Sequence, residues 1–126
     1  MVLGAGAAIT EKNHVQELTT NEQWESVLAA SVEAPQWVFK HSTTCPISAG
    51  AYRQVGAYLD GRADSTPAHL VKVIESRPVS NAIASATGVT HQSPQMLLLK
   101  DGKAVWNASH GAITASALTQ ALQQHG

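Results

Sequence analysis

The chain has 126 residues, of which 44% are hydrophobic and 13% charged, with a net charge of −1. That length suits one globular domain with an ordinary core, not a disordered chain. The near-neutral charge offers no electrostatic footing for nucleic acid or an anionic membrane, the single cysteine excludes an internal disulfide, and no window approaches the roughly 18 apolar residues that span a bilayer.

Met1 to Thr10 is small and apolar, interrupted by glycines, and has no basic flank. Residues 1–13 therefore read as a flexible leader rather than a signal peptide, ahead of one domain over 14–126. His14 to Leu18 carries a weak strand signal. Thr20-Asn-Glu-Gln23 has the form of a capping box, with Trp24, Val27, Leu28 and Val32 on one apolar helical face behind it. Pro35 ends that helix. Gln36 to Lys40 is a strand by its Trp, Val and Phe content.

Pro46 suits the first position of a second helix running to about Leu59, with Tyr52, Val55 and Leu59 on one face. Asp60 to Pro67 is a turn-rich loop. His69 to Ile74 is nearly continuously apolar, as in a strand covered on both faces. Pro78 to about Thr87 forms a third helix, closed by Gly88. Gln95 to Lys100 and Lys103 to Asn107 are strands joined by Asp101-Gly102, the preferred content of a two-residue hairpin turn. A last helix spans about Thr114 to Gln123. The order β, α, β, α, β, α, β, β, α predicts an α/β fold: a mixed central sheet flanked by helices.

The lone thiol, Cys45, sits where a buried strand runs through a short turn into a helix. As N-cap, its sulfur would accept hydrogen bonds near Ile47 and Ser48 and face the positive end of the helix dipole. Both effects favour the thiolate, the nucleophile of thiol–disulfide exchange. The bland alternative is a buried small hydrophobe. Ser48, three residues on, stands where a resolving cysteine would be. It can cap the helix or donate to the thiolate but cannot resolve a mixed disulfide. Ser93-Pro94 opens a strand, a permitted place for proline. His41, His91 and His110 fit no zinc spacing, so the expectation is no metal; His110 reads as a solvated turn residue or as a contact for a ligand carboxylate.

The strand leading into Cys45-Pro-Ile-Ser48, then Gly88-Val89, Ser93-Pro94, Leu97-Leu-Leu99 and Asp101-Gly102-Lys103, resembles the thioredoxin superfamily. Thr44-Cys45-Pro-Ile-Ser48, His91-Gln-Ser-Pro-Gln95 and Trp106-Asn-Ala-Ser-His110 together resemble the YtxJ family, the monothiol bacilliredoxins, from about residue 17 onward. The resemblance implies a thioredoxin-like fold and a cytoplasmic oxidoreductase, a setting that a lone thiol also fits. It implies Cys45 as nucleophile, flanked by Thr44, Pro46, Ile47 and Ser48. Pro94 would be a cis-proline facing it, with Ser93 offering its backbone to a bound thiol. No cofactor is expected; bacillithiol is the implied thiol co-substrate, and bacillithiolated proteins and a recycling reductase are the implied partners. The stretch from Val89 to Pro94 is one residue longer than in typical thioredoxins.

The reading is a monothiol thiol–disulfide oxidoreductase that removes bacillithiol from protein mixed disulfides. Its rivals are a one-cysteine peroxidase or arsenate reductase on the same fold, and a non-catalytic binding module. Against the peroxidase, position 42 is serine where threonine is wanted, with Arg53 a weak partner. Against arsenate chemistry, Arg53, Arg62 and Arg77 are scattered.

Overall fold

Strands and helices alternate along the computed structural model, which describes residues 15–126. The order is β1 (Gln16–Glu17), α1 (Asn21–Ala30), β2 (Gln36–His41), α2 (Pro46–Gly61), β3 (Ala68–Lys72), α3 (Arg77–Thr87), β4 (Gln95–Lys100), β5 (Lys103–Ser109), a 3-10 turn (His110–Ala112) and α4 (Ala115–His125). This is the α/β order that the sequence predicts. The leader read over residues 1–13, and His14 at the start of the first expected strand, lie outside the described residues. Among the described residues no helix is long and apolar enough to cross a membrane.

Short-range signals place most of the ends. Thr20 Oγ1 accepts the Gln23 N–H at 3.2 Å, and Gln23 Oε1 accepts the Thr20 N–H at 3.2 Å, so the capping box is complete. Pro46 opens α2, where its missing N–H costs nothing. Gly88 closes α3 in the left-handed region, φ 72°. Asp101 and Gly102 both have positive φ, 56° and 77°, as their hairpin turn requires.

Two elements end early enough to move an expected apolar residue out to solvent. The first helix stops at Ala30, short of Pro35. The Ser31 hydroxyl donates to the Leu28 carbonyl at 2.6 Å, and Ser31 also accepts the Asp101 and Gly102 N–H groups of the hairpin turn. Val32, expected on the apolar face, lies past the helix end and is 59% exposed. The third strand stops at Lys72, not Ile74. The Val73 N–H reaches the His41 carbonyl and the Ser76 N–H turns back onto that of Lys72, so Ile74 leaves the sheet and is 50% exposed.

The sheet order is β1-β3-β2-β4-β5. β2 is parallel to β3 and antiparallel to β4; β5 pairs antiparallel with β4, with a register shift at Leu98/Leu99. All six residues of β2 are buried, the mark of a central strand covered on both faces. Alternation sorts its side chains. Trp37 and Phe39 join Met96 and Leu98 against Tyr52, Val55 and Leu59 of α2 and Leu118 of α4. Val38 joins Leu97 and Leu99 against Trp24 of α1 and Val79 and Ile83 of α3. Each such buried side chain stabilises the fold by roughly 1.5–3 kcal/mol.

Candidate active site

The strand registers bring three separate stretches of sequence to one end of the sheet. Lys40 stands opposite Gln95, and Gln95 opposite Ser109. The turn Ser42–Cys45 leaving β2, the loop His91–Pro94 entering β4 and the end of β5 therefore lie side by side. The His110 N–H donates to the Pro94 carbonyl at 3.1 Å, which ties the last two together. The Ser93–Pro94 peptide bond is cis, and His110 has a positive φ of 53°. The His110 side chain is exposed, whereas Pro94 is buried. Ser93 Oγ is buried with no hydrogen-bond partner.

Cys45 is the N-cap of α2, and its carbonyl accepts the Ala49 N–H at 3.1 Å as the first bond of the helix. The residue is partly exposed. Its side chain makes no cap hydrogen bond, contrary to the expected sulfur contacts with Ile47 and Ser48. Thiol sulfur is a weak acceptor and does not replace the oxygen of serine or aspartate at a cap. Thr44 and Pro46 are exposed beside it, and Ile47 is 57% exposed. Thr44 Oγ1 lies 3.2 Å from Ser42 Oγ.

Ser48, expected to cap the helix or meet the thiolate, turns inward instead. It is fully buried. Its Oγ accepts the Ser42 N–H at 3.0 Å and lies 2.8 Å from His41 Nδ1. With Nδ1 unprotonated, the hydroxyl donates into the ring; with Nδ1 protonated, the ring donates to the hydroxyl. Either way Ser48 fastens the turn that carries Cys45. His41 stacks on Phe39 and lies 4.7 Å from the Tyr52 ring, centroid to centroid. Burial pushes its pKa below the usual histidine value, opposed by Glu75 and helped by Lys72.

On the opposite face of β2 is a cluster that sequence reading missed. Lys40 is completely buried. Its Nζ donates to the Ser80 carbonyl at 3.1 Å and lies 3.3 Å from His91 Nδ1, which is also 3.2 Å from Ser80 Oγ. Beside it, Gln95 Nε2 donates to the Thr90 carbonyl at 3.0 Å. Burial pulls the Lys40 pKa down to about 8. The sequence signal was present: a lysine follows Trp37-Val-Phe39 in a strand buried on both faces. The sequence reading takes Lys40 only as the last residue of that strand and gives it no role.

The three histidines singled out from sequence do not converge. His41 pairs with Ser48 and His91 with Lys40 and Ser80, on opposite faces of β2, while His110 is exposed. Among the described residues no three of His, Cys, Asp and Glu gather as a metal site requires. A hollow of about 320 Å³ is lined by Tyr58, Gly61, Arg62, Asp64, Thr119 and Leu122, not by Cys45 or its neighbours.

The comparisons with known proteins agree with this geometry. A solved structure described as a candidate oxidoreductase with a thioredoxin fold is 36% identical, with a TM-score of 0.80, over 90% of this chain and 97% of its own. Fasciola hepatica thioredoxin matches with a TM-score of 0.70 at 16% identity, covering 89% of this chain and 100% of its own. A thioredoxin from Nicotiana alata matches with a TM-score of 0.68 at 19% identity, covering 88% and 91%. The last two speak to the fold alone. The family model of the monothiol bacilliredoxin BrxC matches residues 16–118. With a thioredoxin fold, a single thiol at a helix start and that match over most of its length, the chain belongs to the monothiol bacilliredoxin family.

Proposed function

We propose that this protein removes bacillithiol from protein mixed disulfides through Cys45. The observation that carries the reading is a partly exposed lone thiol at the start of α2, with Ser48 in the resolving position. The Cys45 thiolate attacks the bacillithiol sulfur of the mixed disulfide. That S–S bond breaks, the target leaves as a thiolate and takes up a proton, and a new S–S bond joins bacillithiol to Cys45. Ser48 has no sulfur to displace it. A second bacillithiol thiolate, or a reductase, attacks the adduct and frees Cys45, so the oxidising equivalent leaves on the outside thiol.

Around the sulfur, the Ser93 backbone and Pro94 form one wall for the incoming disulfide. Exposed Ile47, Thr44 and Pro46 meet the target protein, and His110 stands beside Pro94 for a carboxylate of the small thiol. A reducing cytoplasm suits a lone, partly exposed thiol. The test is intact-mass analysis of a bacillithiolated target incubated with wild type and with Cys45→Ala. Wild type loses the target adduct and gains it on Cys45, and the variant does neither. Equal removal by both proteins would sink the reading.

A further inference from the structure

Lys40 breaks the pattern of its own strand. It shares a face with Val38 in a layer built with Leu97, Val79 and Ile83. A methionine of similar volume would fill that space without desolvating a charge. Among the described residues no carboxylate pairs with the ammonium; its partners are the neutral Ser80 carbonyl and the His91 ring. A protonated lysine is donor only, so His91 Nδ1 is the acceptor and the ring keeps its proton on Nε2. Local departures of this kind concentrate at functional sites.

What the ammonium holds is specific. His91 is an exposed residue of the loop between α3 and β4, and that loop ends in Ser93-Pro94. Gln95, opposite Lys40 on β4, holds the Thr90 carbonyl of the same loop. Two neighbouring buried side chains therefore grip consecutive loop residues, and the ring of one is clasped a second time by Ser80.

We propose that Lys40 is a positioning residue, which through His91 Nδ1 sets the loop carrying Ser93 and Pro94 against the incoming disulfide. This rests on Cys45 being the exchange site. The variants are Lys40→Met, His91→Leu and His91→Asn; the asparagine oxygen takes the place of Nδ1. His91 is exposed, so its variants fold even if Lys40→Met does not.

With a bacillithiolated peptide as substrate, Lys40→Met and His91→Leu raise KM about tenfold, the loss expected for one charge-assisted hydrogen bond, with a smaller change in kcat. His91→Asn recovers most of it, and the double variant Lys40→Met/His91→Leu is no worse than either single one. Alkylation of Cys45 by iodoacetamide, which needs no loop, stays within about twofold of wild type. Wild-type KM in Lys40→Met, equal impairment of His91→Asn and His91→Leu, or additive effects would overturn the proposal. If wild type itself transfers no bacillithiol, the exchange reading fails while the positioning is still measured: amide hydrogen exchange at Gln92 and Ser93 quickens in Lys40→Met and His91→Leu but not in His91→Asn. Unchanged exchange there refutes the tether independently.

Discussion

The two ends of β2 both bury polar side chains, yet they use them differently. At the N-terminal end, Gln36 Nε2 donates to Ala34 O at 3.2 Å, which turns Gln36 Oε1 toward His69 Nε2 at 2.9 Å. Trp37 Nε1 donates to Tyr58 OH at 3.3 Å, and Tyr58 OH donates to Asp64 at 2.9 Å. Asp64 in turn accepts the Thr66 N–H, and Arg62 reaches the Thr66 carbonyl. These bonds join β2 to β3, to α2 and to the loop between them, and they include a hollow with no thiol near its walls. At the C-terminal end the partners are different in kind. His41 and Ser48 fasten the turn of Cys45, and Lys40 and Gln95 fasten the loop of Pro94. One end secures the fold; the other sets the loops around a sulfur. The hollow of about 320 Å³ lies at the end without the thiol.

This contrast breaks most readily at Trp37, fully buried and edge-on to both Tyr58 and Trp106. Trp37→Ala should cost about 3–5 kcal/mol in urea unfolding while the folded protein keeps its Cys45 alkylation rate. A loss under about 1 kcal/mol would contradict a stability role for that end.

His69 supplies a pH test of the same end. Because Gln36 Oε1 faces Nε2, the ring proton sits on Nε2 and Nδ1 is buried without a partner. Burial lowers the His69 pKa to about 4, below the unfolded value of about 6.5. Between those values the unfolded chain binds the proton that the folded one refuses. Stability therefore falls as pH drops through that window and levels off below it. Relative to His69→Gln, wild type should lose about 2–3 kcal/mol between pH 6.5 and 4. Parallel stability curves for the two proteins would refute the assignment.

The smallest effect sharpens the comparison from the other side. Ser48→Ala leaves the Ser42 N–H and the His41 ring without their partner, at a cost of about 1–3 kcal/mol. Amide exchange should accelerate across Ser42 to Cys45 and stay unchanged in β3 after correction for global stability. Uniform acceleration would mean that Ser48 serves the whole fold rather than the turn.

The fold was legible because its punctuation is short-range. Thr20 with Gln23, Pro46, Gly88 and Asp101-Gly102 act within four residues of themselves, and all stand where the sequence puts them. Val32 and Ile74 were misplaced because distant bonds ended their elements: the hairpin turn on Ser31, seventy-one residues away in the case of Gly102, and His41 on Val73. Cys45 and Ser48 were legible as a pair, but the direction of Ser48 was not. Helical spacing says which residues are near; it does not say that a buried hydroxyl will prefer a backbone N–H and a ring nitrogen to a sulfur.

By itself, then, the sequence determined the order of the elements, the thiol at a helix start and the absence of a second sulfur to resolve it. These follow from local backbone preferences and from residue identity. The tertiary structure decided which buried polar groups meet. Lys40 finds Ser80 forty residues on and His91 fifty-one residues on. An ammonium inside an apolar layer must have acceptors, and only the packing of α3 and the β4 loop over β2 supplies them.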